Sequence, residues 1–270
     1  MNIPKLIFIV PYRDRENEKH HFSIYMNYIM EDYDKNDYEI YYSHQCDKRL
    51  FNRGAIKNIG FLVLKEKYPQ HYKNITFVFN DVDTLPIKKN ILHYETSKNI
   101  VKHFYGFTFA LGGIFSIKGE DFEKCNGFSN NWGWGLEDNI MNNRCLKNNI
   151  KIDRNNFYKI GDHNILQIVN TPFRHINDDD VTNYKKKLYI DDLFKIHDIK
   201  YNIQPHNIGN YSNLKTINEY MINITNFNCL VNPDDNKMYY KNLSKDNKVE
   251  YNYLNKQNHR KKWNLSKFML

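Results

Sequence analysis

The sequence predicts an α/β protein built on a mostly parallel sheet. Short apolar runs alternate with stretches of helical periodicity, the mark of βαβ units. Two of those runs end on clustered charged residues, as strands do when their carboxyl ends face a ligand. Hydrophobic residues make up 41% of 270, enough for one large core or two small ones.

Residues 6–10 (Leu-Ile-Phe-Ile-Val) are continuously apolar and stop at Pro11, which reads as a strand buried on both faces. From about residue 15 to 32, Phe22, Tyr25, Met26 and Ile29 recur at helical spacing. Residues 38–42 form a second strand. Residues 52–68 carry Ile56, Ile59, Gly60, Leu62 and Val63 and read as a second helix. Residues 75–79 are a third buried strand, followed at once by Asn80, Asp81, Val82 and Asp83. Beyond Pro86 the pattern loosens: strands are expected over 104–109 and 114–117 around Gly112 and Gly113, a loop over 126–135, and a helix over 137–146. After about residue 201 the chain is rich in Asn and Lys with weak periodicity, and from Phe227 basic residues outnumber acidic ones. The expected division is therefore one α/β domain over 1–225 and a basic Asn/Lys-rich extension over 226–270.

Composition excludes several classes. No apolar run approaches the roughly 18 residues of a membrane span, and the five-residue run at 6–10 is too short for a signal peptide core. A cytoplasmic setting is expected. Cys46, Cys125, Cys145 and Cys229 are scattered with no CxxC pair, which argues against a zinc ribbon or a disulfide scaffold. The net charge of +8 comes from dispersed basic residues without a nucleic-acid motif, so no nucleic-acid partner is expected. The surplus of Asn, Lys and Tyr against two alanines matches A/T-rich codons, as in the genome of a large DNA virus or an A/T-rich parasite.

Four stretches carry candidate chemistry. Asp81 and Asp83 flank one apolar residue just after a strand, so both point to the same side. Hard oxygen ligands so placed suit Mg²⁺ or Mn²⁺ held with a diphosphate, and equally suit a solvated turn. Arg13 and Arg15 follow the first strand, where they can bind phosphate or a nucleoside edge or simply form a charged loop. Phe51 and Arg53 open the second helix, with Asn52 as its cap or with the ring and guanidinium against a base. Trp132-Gly-Trp-Gly-Leu-Glu-Asp138 is the most distinctive stretch: two tryptophans among glycines suit a sugar ring, and two acids follow at a helix start. There an Asp serves as a general base or as a cap.

In order and spacing these pieces resemble the β-1,4-galactosyltransferase family, inverting glycosyltransferases with the GT-A fold, a Rossmann-like and mostly parallel sheet flanked by helices. The matching text is Pro11-Tyr-Arg-Asp-Arg15, Phe51-Asn-Arg-Gly54, Phe77-Val-Phe-Asn-Asp-Val-Asp83, Leu111-Gly-Gly-Ile114, Asn126-Gly-Phe128, Asn131-Trp-Gly-Trp-Gly-Leu-Glu-Asp138 and Arg174-His175. The resemblance covers about residues 6–203. It implies transfer of a hexose or N-acetylhexosamine from a UDP-sugar to a sugar hydroxyl. Carried over by position, Arg13, Arg15, Phe51 and Arg53 hold the uridine, with Pro11 and Val82 in the same donor site. Asp83 and His175 bind Mn²⁺ (or Mg²⁺), and Asp81 sits beside the donor. Gly112 and Gly113 let the sugar approach, and Trp134 contacts donor phosphate and acceptor. Glu137 holds donor hydroxyls and Asp138 is the base.

The chain departs from the family at three places. Pro172 stands where mammalian members have a methionine ligand to the metal, which leaves His163, Asn177 or Asp178 as substitutes. Asn139 and Ile140 shorten the acidic run that helps bind the acceptor. Ala110 replaces a bulky residue that restricts the donor, which leaves room for an N-acetyl group. The first two motivate an alternative, a catalytically silent sugar-binding module.

Overall fold

The computed structural model describes residues 2–168, 192–206 and 218–230, and the backbone of 173–177 and 238–242. In chain order the elements are β1 (Leu6–Tyr12), α1 (Glu16–Ile29), β2 (Tyr38–Gln45), α2 (Arg53–Lys67), β3 (Thr76–Asn80), β4 (Thr84–Pro86), β5 (Ile100–Gly106), β6 (Ile114–Lys118), α3 (Gly119–Lys124) and α4 (Glu137–Lys147). Then come β7 (Lys151–Asp153), β8 (Tyr158–Lys159), β9 (Ile165–Gln167), β10 (Phe173–Asn177), a 3₁₀ turn at Leu193–Lys195, β11 (His197–Pro205), β12 (Glu219–Asn228) and β13 (Met238–Asn242).

β1 is the centre of a nine-stranded sheet ordered β11-β12-β2-β1-β3-β6-β5-β7, with β8 also on β5. β1 pairs in parallel with both β2 and β3, and β12 runs parallel to β2, while β6 is antiparallel to β3 and β5. The mixed, mostly parallel sheet flanked by helices agrees with the expected class. All of β1 is buried because both its faces are covered. Leu6, Phe8 and Val10 point to one layer, with Phe22, Met26 and Ile29 of α1. Ile7 and Ile9 point to the other, with Ile56, Ile59, Val63 and Leu64 of α2 and a phenylalanine cluster from β3, β6 and α3. The ring contacts within that cluster, Phe61 to Phe77 at 5.0 Å and Phe79 to Phe122 at 4.7 Å, show where the aromatic surplus goes.

Two regions differ from the expectation. The strand expected over 104–109 starts earlier, at Ile100, and ends at Gly106, where φ is +134° and residues 107–110 turn away. The Asn-rich region after residue 201 contains the end of β11 and all of β12 and β13. β12 buries Ile222, Ile224 and Phe227 in the core, while β11 is mostly exposed and is held chiefly by pairing to β12, with Ile199 against the core and Tyr201 donating to Glu66 of α2 at 2.9 Å, so it carries little apolar pattern. Among the described residues no helix is long and apolar enough to cross a membrane.

Glu219 begins β12 in a buried position and accepts hydrogen bonds from Ser23 of α1 and from Tyr42 of β2, the latter at 3.1 Å. Burial pushes its carboxyl up to about 7, against the opposing pull of the two hydroxyls. The folded value lies above the usual 4.5, so stability is complete below that value and is lost as the pH rises through about 7. Glu219→Gln should flatten this decline, gaining about 2–3 kcal/mol on wild type between pH 5 and pH 8. Urea denaturation at both pH values checks this, and an unchanged decline would rule out Glu219 as its source.

Candidate active site

The carboxyl ends of β1 and β3, the start of α2 and the start of α4 meet at one place. α2 begins there because Asn52 caps it, accepting from the Ala55 amide at 2.9 Å. The Asn52 side chain also donates to the Asn130 carbonyl at 3.0 Å, and the Gly133 amide donates to the Phe51 carbonyl at 3.0 Å, so the α2 start is tied to the Trp-Gly loop. After β3, Asn80 donates to the carbonyls of Asp81 and Thr84 at 2.8 and 2.7 Å and holds the Asp81–Asp83 turn closed.

Arg53 is the first residue of α2, and its guanidinium holds three carboxylates. Nε donates to Glu137 at 2.6 Å, one terminal nitrogen to Asp81 at 3.1 Å and the other to Asp138. Burial works to lower the Arg53 pKa, but the charges of Asp138, Asp81 and Glu137 outweigh it and hold it well above the usual value. Burial likewise works to raise Glu137, while Arg53 and then Lys57 outweigh it and hold the carboxyl below its usual range. Lys57, four residues on and almost fully buried, donates to Asp138 at 3.0 Å and lies 3.8 Å from Asp81. The N-cap of α4 is Leu136, so neither Glu137 nor Asp138 occupies the cap position itself.

The Gly112–Gly113 loop closes over these acids. The Leu111 amide donates to the Asp138 carbonyl and the Asp81 amide to the Gly113 carbonyl, both at 2.9 Å. A Cβ on Gly112 would stand 2.7 Å from Asp138 Oδ2, so only glycine leaves that carboxylate its place. Gly113 has φ +69°, and a Cβ there would meet the Tyr105 carbonyl at 2.4 Å. His103 supports the loop from below. Its Nδ1 accepts from Arg154 at 3.0 Å, so the proton sits on Nε2, which faces the carbonyls of Tyr105 and Gly112 at 3.0 and 3.1 Å. Burial and then Arg154 push its pKa down to about 4, which keeps the ring neutral at pH 7.

The remaining sequence candidates lie around this cluster. Arg15 reaches Asp83 at 3.5 Å and Glu18 at 3.0 Å. Arg13 points to Asp14 and the Arg49 carbonyl, away from the acids. Pro11, Val82 and Ala110 are buried beside the site, and Phe51 is half-buried. Of the two loop tryptophans, Trp132 is core. It stacks on Phe227 of β12 at 5.3 Å with 11° between planes, and Arg49 lies over both rings at 4.8 and 4.6 Å. Trp134 stays partly exposed. Asn139 donates to the Phe109 carbonyl at 3.5 Å and Ile140 is core. The backbone of His175 pairs with Tyr240. Its side chain and that of Asn177, with all of Pro172 and Asp178, lie outside the described residues. Lys57 was missed by sequence reasoning. The available signal was its i+4 spacing from Arg53 amid Ile56, Ile59 and Gly60, a cation on an otherwise buried helix face.

A divalent cation suits the charge of this site. Burial and the like charge of Asp81 raise the Asp83 carboxyl above its usual range, against Arg15. Its bonded contacts are the Thr84 hydroxyl at 3.1 Å and that single arginine, so lone pairs remain for an ion. Among the described residues no group of three or more His, Cys, Asp or Glu is arranged to hold one. The rest of a ligand set would come from other residues, water and substrate.

A family model for the N-terminal region of glycosyl transferase group 7 matches residues 2–95, and one described as the N-terminal domain of galactosyltransferase matches residues 93–167. Xylosylprotein 4-beta-galactosyltransferase of Caenorhabditis elegans is 27% identical over 221 residues, 77% of this chain and 74% of that protein. Human beta-1,4-galactosyltransferase 1 is 30% identical over 161 residues, 56% of this chain but 39% of its own length. The chain thus spans less than half of that relative. The catalytic domain of Drosophila beta1,4-galactosyltransferase 7, in complex with xylobiose, superposes with a TM-score of 0.64 at 22% identity, covering 86% of this chain and 97% of that one. A point mutant of the same enzyme, in complex with manganese, UDP-Gal and xylobiose, gives 0.63 at 21%. The fold is that of these GT-A catalytic domains.

Arg53→Met would leave the buried Glu137 carboxylate and the half-buried Asp81 and Asp138 short of a partner. A loss of about 3–5 kcal/mol is expected at pH 7. The loss should shrink as the pH falls below about 4.5, because the Glu137 carboxylate, held below its usual 4.5, stabilises the fold fully only above that value and loses its contribution as it protonates. Denaturant unfolding at the two pH values checks this, and a pH-independent loss would contradict it.

Proposed function

The chain belongs to glycosyl transferase group 7, and on that premise we propose that it moves a sugar from a UDP-sugar to a hydroxyl of a glycan or glycoconjugate, inverting the anomeric carbon. Supporting this most is the position of Asp138. Its carboxylate lies so close to Gly112 that a Cβ there would stand 2.7 Å from Oδ2. A sugar laid on the Gly112–Gly113 loop would present its anomeric carbon there, with an acceptor hydroxyl within reach of Asp138.

Asp138 takes the acceptor proton as the oxygen attacks. Glu137, held ionised by Arg53, accepts hydrogen bonds from donor hydroxyls. Arg13, Arg15 and Phe51 bind the uridine diphosphate, with Pro11 and Val82 as walls. Arg53, by resemblance a uridine contact, has all three nitrogens on acids here and serves first to gather them. Asp81 lies beside the donor, and Trp134 covers the phosphate and the acceptor. Asp83 and His175 would hold Mn²⁺ (Mg²⁺ as substitute), which when bound neutralises charge on the departing diphosphate. The small, buried Ala110 admits an N-acetylhexosamine as well as a hexose. UDP-galactose is the first donor to test and a xyloside the first acceptor, because the named relatives with the largest shared span act on or bind these. The contact of Phe227 with Trp132 supports carrying the catalytic unit through β12 to Asn228, with the basic extension beyond.

A panel of UDP-sugars with Mn²⁺ should give transfer or slow hydrolysis with at least one donor, and none with any would contradict the reading. Asp138→Asn should keep UDP binding near normal and lose transfer by about 10²-fold or more. Asp83→Ala should abolish Mn²⁺-dependent UDP binding in calorimetry, and undiminished binding would remove Asp83 from the metal site.

A further inference from the structure

We propose that Lys57 is a positioning residue for Asp138, fixing the carboxylate in the plane from which it takes the acceptor proton; this rests on the assignment of Asp138 as base. Lys57 is 1% exposed in the middle of α2. A buried ammonium costs free energy unless it is paired. Neighbouring Ile56, Ile59 and Gly60 pack the helix, and a methionine would fill the same space. The ammonium's charged contacts are both in the site, Asp138 Oδ1 at 3.0 Å and Asp81 Oδ1 at 3.8 Å, and it lies over the face of the core ring Phe128 at 4.6 Å.

Arg53 cannot do this work alone. Its guanidinium is divided among Asp81, Glu137 and Asp138, and it holds only Oδ2 of Asp138. A carboxylate held by one oxygen still turns about its Cβ–Cγ bond. Lys57 takes the other oxygen from one turn further along the same helix, so two cations at i and i+4 fix both ends of the group. Gly112 bounds its third side. Each oxygen keeps a second lone pair, so the grip leaves room for the incoming proton.

Two measurements test this. Lys57→Met should lower kcat about 10- to 100-fold, the effect of misplacing a reacting group by an ångström or less, while KM for the UDP-sugar stays within about 2-fold. Lys57→Arg, which retains a cation, should recover part of the turnover, and Lys57→Met should cost nothing further in an Asp138→Asn background. An unchanged kcat, or a raised KM at full kcat, would overturn the assignment. Independently of any substrate, the denaturation midpoints of Lys57→Met, Asp138→Asn and the double variant should fail to add, whereas additive shifts would show that Lys57 does not hold Asp138. Should wild type transfer no sugar, the proposed function fails while this cycle still decides the contact. If Lys57→Met does not fold, Lys57→Gln takes its place in both measurements.

Discussion

One half-buried guanidinium organises this molecule. Asp81, Glu137 and Asp138 arrive from two elements far apart in sequence, and without a cation between them their charges would repel in a space largely closed to water. Arg53 allows them to stand together. Its own place follows from Asn52, which starts α2 at that residue and binds the loop leading to the tryptophans. The acids are thus adjacent and held before any substrate arrives, which is the preorganisation that polar catalysis needs.

The fold supplies the rigidity this arrangement requires. β1 is buried on both faces, so the ends of β1 and β3 are set by the sheet's packing. α2 is buried along most of its length and carries both cations. β12 adds a distant constraint: Phe227 stacks on Trp132, Arg49 lies over both rings, and the Arg49 carbonyl accepts from Arg13. A residue near the end of the described chain is thereby connected to both the Trp-Gly loop and the donor-side arginines. Within that loop Trp132 is an anchor and Trp134 a partly exposed surface, separated by Gly133 at φ +80°.

Much of this was legible in the sequence, and the limits have physical causes. The strands at β1 and β3 declare themselves because strands buried on both faces must be apolar at every position. The Asp81–Asp83 pair and the Trp-Gly loop stand out because their residue types fit no regular element. β11 was invisible because an edge strand held by backbone bonds needs no apolar side chains. β12 was obscured because Asn223, Asn226 and Asn228 interrupt its buried Ile222, Ile224 and Phe227. Lys57 was passed over because a helical lysine normally reaches solvent along its stem, and only the tertiary structure shows it turned inward. Which tryptophan is core and which faces the site also depends on a partner nearly a hundred residues later.

The central claim is that Asp138, gathered by Arg53, serves as the base of a single displacement. The most direct measurement is the anomeric configuration of the new glycosidic bond formed from a UDP-α-sugar, read from the coupling of its anomeric hydrogen in the proton NMR spectrum of the product. The account predicts a β-configured product, and an α-configured one would contradict it.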